Sequence, residues 1–360
     1  MRVLHVVRPN AHDRPGGDLV QAQGAGRGLR ELGIDVDLAA TATPDPAGYD
    51  IAHVFGVFEP QTAERQVAAI RGRGVPLVLS PIFGDLRTYN AAAPLLVRAL
   101  GAHSPRAVER RLAAAGRQER SRAWRGRIAR HADARLKRQR ELLLQADVLL
   151  PSSEVEAYHY GERLRVVSVP VVVARVGTDE AGVPFEPPDV ARSGIVCFGR
   201  VETLKNQAAL LFALHDVGVD VTIVGPQSDA QYSALCRRWA TARTRFVAPI
   251  ARDEVFRVMA SAAVHALPSW QELPGLASLE AASSGARVVV GTRGCEREYF
   301  GPDADYADPA QPETIRAAVL RALERGPRAP GDALELRLRA LTWRRHAEAT
   351  LDAYERAIAR

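Results

Sequence analysis

Glu272 and Glu280 stand eight residues apart in Ser269-Trp270-Gln271-Glu272-Leu273-Pro274-Gly275-Leu276-Ala277-Ser278-Leu279-Glu280-Ala281. The stretch reads as the end of a short apolar strand, a tight loop at Pro274-Gly275, and a helix from Leu276. One carboxylate thus falls in the loop and the other about two turns into the helix. Between them lie the open amides and partial positive charge of a helix N-terminus, which suit a phosphate. The flanking carboxylates can accept hydrogen bonds from sugar hydroxyls. Such a site fits a molecule with hydroxyls on both sides of a diphosphate, the description of a nucleotide sugar. Spacing of two glutamates is in itself a weak signal, and the neighbouring features decide.

Two cations support that chemistry. Cys197-Phe198-Gly199-Arg200 ends another apolar run, and Val201-Glu202-Thr203-Leu204-Lys205-Asn206 leads into a helix. Gly199 permits close approach of backbone to a ligand. Arg200 offers a planar fork to a diphosphate and Lys205 a mobile point charge. Near the start of the chain, Pro15-Gly16-Gly17-Asp18 follows the first apolar run and opens a helix, where a glycine turn can cradle an anion. No dinucleotide-binding Gly-x-Gly-x-x-Gly pattern and no P-loop occur. Gly24-Ala25-Gly26-Arg27-Gly28 lies inside the following helix and reads as close packing.

The elements that must position these groups come in two series. Candidate strands are Arg2–Val7, Asp35–Leu38, Ile51–Val54, Pro76–Leu79, Val148–Leu150 and Val166–Val169, then Gly194–Phe198, Val219–Val224, Arg245–Val247, Val264–Leu267 and Arg287–Val290. Their runs are continuous rather than alternating, the mark of parallel strands covered on both faces. Helical stretches separate them, so the β-α rhythm predicts an α/β protein of two doubly wound, Rossmann-like domains. A length of 360 residues also exceeds one ordinary core. The domains are expected at 1–185 and 190–342, with the break in the Gly-, Pro- and acid-rich 180–193. A last amphipathic helix spans 343–360.

Composition sets bounds. At 47% hydrophobic and 25% charged, the chain has the profile of a globular protein. It has no uninterrupted apolar run of membrane-spanning length. Cys197, Cys236 and Cys295 are scattered without metal-ligand spacing, so buried thiols and a reducing cytoplasm are expected. Net charge is +6, yet residues 105–140 alone carry +10. That segment is expected on the first domain, facing an anionic membrane or a lipid diphosphate, with Trp124 as an interfacial anchor. A nucleic-acid role is disfavoured because no base-stacking aromatics accompany the run except Trp124.

Taken together, the motifs resemble retaining glycosyltransferases of the GT-B fold, glycosyltransferase family 4. The matching residues are Gly16-Gly17, Tyr49 to Val54, Gln145 to Ser153, Gly199-Arg200 through Lys205-Asn206, Leu267-Pro268-Ser269, the Glu272/Glu280 element, Gly285 to Val289 and Glu298. The resemblance implies two Rossmann-like domains facing a central cleft, with the terminal helix crossing back to the first. It implies that Glu280 holds the donor ribose, that Glu272 contacts the transferring sugar, and that the amides of Gly275, Leu276 and Ala277 lie near the phosphates. Arg200 and Lys205 would neutralise the leaving diphosphate in place of a metal. Val247 and Ile250 fall where the base edge is read. No cofactor beyond the nucleotide-sugar co-substrate is implied, and the acceptor would be a glycan or a lipid-linked sugar. Asp303-Ala304-Asp305 matches a metal-binding string by coincidence. Many relatives carry a histidine after the fourth strand; here Leu79-Ser80-Pro81-Ile82-Phe83-Gly84-Asp85 has none, leaving Ser80 and Asp85 either to contact the acceptor or to stabilise a turn. His53 and His265 read as packed rather than catalytic. A nucleotide-sugar 2-epimerase of the same architecture is the alternative, and it would need further acid/base carboxylates facing the sugar.

Overall fold

The structure is a computed structural model, and it describes residues 1–119, 133–178 and 191–360. Trp124, the centre of the basic segment and the expected interdomain break lie outside the described residues. The chain forms two compact units. Described residues of the first are 1–84, 133–178 and 340–360, and those of the second are 85–119 and 191–339.

The first unit holds strands β1 (Arg2–Val7), β2 (Asp35–Ala40), β3 (Ile51–Phe55), β4 (Leu77–Ser80) and β5 (Val148–Leu149) in the order β2-β1-β3-β4-β5. The second holds β6 (Ser193–Phe198), β7 (Val221–Val224), β8 (Thr244–Val247), β9 (Ala262–Leu267), β10 (Arg287–Gly291) and β11 (Asp305–Ala307) in the order β11-β10-β9-β6-β7-β8. Every strand pair is parallel. The helices of the described residues are α1 (Gly17–Glu31), α2 (Pro60–Arg71), α3 (Arg87–Leu100), α4 (Pro105–Glu119), α5 (Asp133–Leu143), α6 (Glu154–Leu164), α7 (Gln207–Leu214), α8 (Ala230–Arg238), α9 (Arg252–Ser261), α10 (Leu276–Ser283), α11 (Glu296–Phe300), α12 (Pro312–Glu324), α13 (Ala333–Arg339) and α14 (Trp343–Ile358).

Continuous apolar strands mean burial on both faces: β3, β4 and the last five residues of β1 are fully buried. Val166–Val169 is not a strand. Val167 is exposed, and the chain instead forms a single parallel bridge from Val171 to Leu149. Glu156 ties this side of the unit together. Ser153 caps α6 by accepting from the Glu156 amide at 3.1 Å. The buried Glu156 carboxylate accepts from the Phe83 and Ser152 amides, the Ser152 hydroxyl and the Tyr160 hydroxyl at 2.7–2.9 Å. Burial raises its pKa, and these donors pull it back.

The terminal helix packs on α1 of the first unit, and glycine is what admits it. A Cβ on Gly24 would lie 2.4 Å from the Trp343 ring, and one on Gly28 would lie 2.4 Å from the Trp343 carbonyl. Beneath, Tyr354 of α14 joins a buried chain that crosses the sheet. His5 Nδ1 lies 3.0 Å from Ala22 O, and His5 Nε2 is 2.9 Å from the Tyr354 hydroxyl. That hydroxyl is 2.8 Å from His53 Nδ1, and His53 Nε2 is 2.8 Å from Ser80 Oγ, which is 3.1 Å from Leu150 O. Both ends are carbonyl acceptors. Five links therefore join groups that carry four protons when both imidazoles are neutral. Burial keeps them neutral, lowering His5 to about 3 and His53 well below the ordinary imidazole range.

Segment 105–140 does not lie on the first unit as one surface. Its first part, α4, packs with α3 in the core of the second unit, where Leu96, Leu100 and Val108 join Leu210 and Leu211. The Trp239 indole donates to Leu100 O at 2.9 Å. Only α5 belongs to the first unit, with Arg135, Lys137, Arg138 and Arg140 exposed. Among the described residues no helix is long and apolar enough to cross a membrane.

Tyr354→Phe should lower the unfolding free energy by about 1–3 kcal/mol, because it strands His5 Nε2 and His53 Nδ1 in the core. Since folded-state pKa values of these imidazoles are depressed, wild-type stability should fall as pH drops from about 6.5 toward about 3. Urea unfolding across that range checks both.

Candidate functional site

The second sheet has its topological switch between β6 and β9. From β6 the chain runs outward through β7 and β8, then returns to place β9 on the opposite side. Ligands of doubly wound sheets bind beyond the carboxyl ends of strands at such a point. The loops after β6 and β9 carry Arg200–Lys205 and Ser269–Gly275.

These loops are fixed to one another. A single turn, Thr203–Lys205, ends at Asn206 with φ +63°, and the Asn206 amide donates to Pro268 O at 3.2 Å and Pro309 O at 2.8 Å. The Trp270 amide donates to Leu204 O at 2.9 Å. Gly225 brings the β7 loop against the β6 loop, since a Cβ there would sit 2.2 Å from Gly199 O. Gly199 itself lies beside the Lys205 stem and Leu267.

Within this frame Lys205 Nζ donates to Glu272 Oε1 at 2.6 Å. Both side chains are largely withdrawn from solvent, at 18% and 9% exposure, so the attraction is weakly screened. The sequence placed these residues at two separate strand ends; the fold makes them a pair. Arg200 lies apart from them, half exposed, with Glu202 at 3.2 Å.

Gly275 caps α10 with φ +77°, a conformation that glycine adopts without cost, and no side chain caps the helix. The Ser278 and Leu279 amides bond back to Gly275 O. Helix geometry leaves the Gly275, Leu276 and Ala277 amides open beside Glu272. A Cβ on Gly275 would lie 3.3 Å from Glu272 Cβ, so glycine here also makes room for that side chain. Glu280, further along α10, meets Arg252 of α9 at 3.0 Å. Val247, Ile250 and Ala277 share one apolar cluster with Phe256 and Met259.

Other predicted residues fall elsewhere. Gly16 caps α1, where the buried Arg8–Asp18 ion pair at 2.8 Å lies against Gly16, while Gly17 is exposed. Ser80 is buried and committed to His53 and Leu150 O. Asp85, in the second unit, pairs with Arg87 at 2.7 Å and accepts from its amide, a turn-stabilising arrangement. His265 is buried against Ser278 Oγ at 3.1 Å, and burial lowers it to about 3. Asp303 pairs with Arg337, and Asp305 begins β11 and pairs with Arg321 and Arg325. None of the three cysteines is in a disulfide and all are buried, with Cys236 pushed up to about 12. Sequence reasoning missed Arg252 and the buried Glu296. Their roles arise where separate loops cross, and no local pattern marks them.

Comparison with known proteins follows the same geometry. Residues 192–325 match the family described as glycosyl transferases group 1. The chain is 28% identical over 262 residues to D-inositol 3-phosphate glycosyltransferase of Nocardioides sp., covering 62% of this chain and 57% of that protein. It is 34% identical over 114 residues to MMP alpha-(1->4)-mannosyltransferase of Mycolicibacterium hassiacum, covering 30% of this chain and 28% of that one. The aligned part thus spans little more than half of the first relative. Among solved structures, sucrose-phosphate synthase of Thermosynechococcus elongatus superposes with TM-score 0.68 at 18% identity over the whole of both chains. HepE of Anabaena, solved with UDP, superposes with TM-score 0.59 at 15% identity over 100% of this chain and 96% of its own. The fold is GT-B.

The Lys205–Glu272 pair yields a direct test. Lys205→Met should destabilise by about 3–5 kcal/mol by leaving a buried carboxylate unpaired, and Glu272→Gln should cost less. The double variant should be more stable than the sum of the single losses by about 1–2 kcal/mol, as urea unfolding of all four proteins would show.

Proposed function

We propose that this chain is a retaining, metal-independent glycosyltransferase that moves a sugar from a nucleotide-diphosphate donor to a glycan or lipid-linked acceptor. The observation that carries it is the Lys205–Glu272 pair set beside the open N-terminus of α10. The relatives' names and the match over 192–325 support the same reading. HepE was solved with UDP, and a trehalose-phosphate synthase of Burkholderia xenovorans, TM-score 0.63 at 11% identity, with glucose-6-phosphate.

In this reading the α10 amides take the diphosphate and Glu280 accepts from the ribose hydroxyls, giving up part of its bond to Arg252. Val247 and Ile250 line the base. Glu272 holds the sugar hydroxyls. Breaking the anomeric bond leaves negative charge on the departing diphosphate. Lys205, already held at 2.6 Å from Glu272, and the more exposed Arg200 are the cations placed to meet it. A cation fixed in advance costs no reorganisation as that charge develops. Retention of anomeric configuration follows from the family resemblance. The exposed cations of α5 fit an anionic, lipid-linked acceptor at a cytoplasmic membrane surface, as in cell-surface polysaccharide or glycolipid synthesis. An epimerase needs further carboxylates facing the sugar; Glu296, which lies near Glu272, is only 1% exposed.

Glu280→Ala should weaken nucleoside diphosphate binding roughly ten- to a hundredfold, the worth of one charge-assisted hydrogen bond. Calorimetry with the folded variant checks this, and unchanged affinity contradicts the ribose assignment. Transfer should survive EDTA. Proton NMR of the first-formed product should show the donor's anomeric configuration, and inversion would overturn the retaining assignment.

A further inference from the structure

Glu296 opens α11 and is 1% exposed, and no side chain satisfies its carboxyl; only its own amide and that of Gly294 act on it. The glycines around it locate it. A Cβ on Gly294 would lie 2.5 Å from Glu296 Oε2, 2.4 Å from Glu272 O and 2.8 Å from Glu272 N. One on Gly291 would lie 2.3 Å from Ser269 O and 3.5 Å from Glu296 Oε1. The carboxyl therefore occupies the seam between the β9 loop, which carries Glu272, and the β10 loop. The seam is polar but poorly satisfied: Ser269 Oγ, Trp270 Nε1 and Gln271 Nε2 are also buried without partners. It is closed by the Cys295 amide donating to Glu272 O at 3.3 Å, with Cys295 Sγ 3.7 Å from the same oxygen.

The charged neighbours determine what Glu296 can do. Glu272 and Lys205 act on it from the two facing loops. Tyr306 of β11 feels its charge and lies under Arg297, 4.1 Å from guanidinium to ring centroid. Arg337 and Asp303 are bound to each other, and Arg293 is bound to Asp308. Among the described residues no cation forms an ion pair with Glu296. An unpaired buried carboxylate is costly, so the group stays protonated. Burial first, then the Glu272 charge, push it up to about 8, while its own amide, that of Gly294, and Lys205 pull it back. Its ionisation would set a second negative charge beside the Glu272–Lys205 pair.

We propose that Glu296 is a positioning residue of the donor site: neutral, it lets the Ser269–Glu272 loop close over it with the Glu272–Lys205 pair intact; ionised, it forces that loop open. The site's use for a nucleotide donor rests on the function proposed above, whereas the proton-controlled seam rests on geometry alone.

Three measurements on the full chain, wild type against Glu296→Gln and Glu296→Met, test this. The folded-state pKa is raised, so wild-type stability from this group is present below about 4.5 and lost as pH rises to about 8. The melting temperature of each variant, relative to wild type, should therefore climb between those values and level off above. Second, alkylation of Cys295 by iodoacetamide, followed by peptide mass spectrometry, should rise in wild type relative to both variants by roughly tenfold per pH unit on approaching pH 8 from below and level off above it. Variant and wild-type curves that run parallel in both measurements overturn the proposal. Third, wild-type affinity for nucleoside diphosphates should decline above pH 8 while that of Glu296→Gln stays level. A level wild-type curve there overturns the positioning role. Absence of nucleotide binding at every pH overturns the donor reading instead, and the seam is then decided by melting and alkylation.

Discussion

The second unit is organised around one electrostatic constraint: Glu272 is almost buried, so it needs a cation, and the fold supplies Lys205 from a different loop. Burying a carboxylate without such a partner costs several kcal/mol. Much of the surrounding architecture serves to keep the two at 2.6 Å. Asn206 bonds to Pro268 O and Pro309 O, Trp270 reaches back to Leu204 O, and Cys295 holds Glu272 O from the far side. The same pair places charge of both signs next to the uncapped α10, where a diphosphate and a sugar can be held side by side.

The first unit solves a different problem. Its terminal helix seats a tyrosine between two fully buried imidazoles. Gly24 and Gly28 let α14 approach closely enough, and Tyr354 then links His5 to His53. Ser80 is consumed in that network, and Asp85 is consumed by Arg87. Among the exposed cations of this unit, Arg135, Lys137, Arg138 and Arg140 lie together on α5.

Much of this was legible in the residues. Parallel strands buried on both faces write themselves as largely unbroken apolar runs, which is why β1, β3, β6, β7, β9 and β10 stand near their expected bounds. Val166–Val169 has the same composition but no neighbour to pair with, since β5 bonds Val171 instead. The three-residue edge strand β11 is too short to show a pattern. The helical periodicity of α3 and α4 declares a face to be buried without saying against which sheet, so their place in the second unit was not readable. Arg252 and Glu296 were invisible for a related reason. An ion pair from α9 to α10, and a carboxyl trapped between two loops, are products of topology rather than of local sequence.

The central claim is that the Lys205–Glu272 pair and the α10 terminus form a nucleotide-diphosphate site. Thermal unfolding against a panel of nucleoside diphosphates and nucleotide sugars tests it most directly. A ligand at a hundredfold excess over its Kd stabilises by about 2.7 kcal/mol, a shift of several degrees for a unit of this size. The account predicts such a shift with one nucleotide base, lost in Lys205→Met. A panel that shifts nothing, or shifts wild type and Lys205→Met alike, would contradict it.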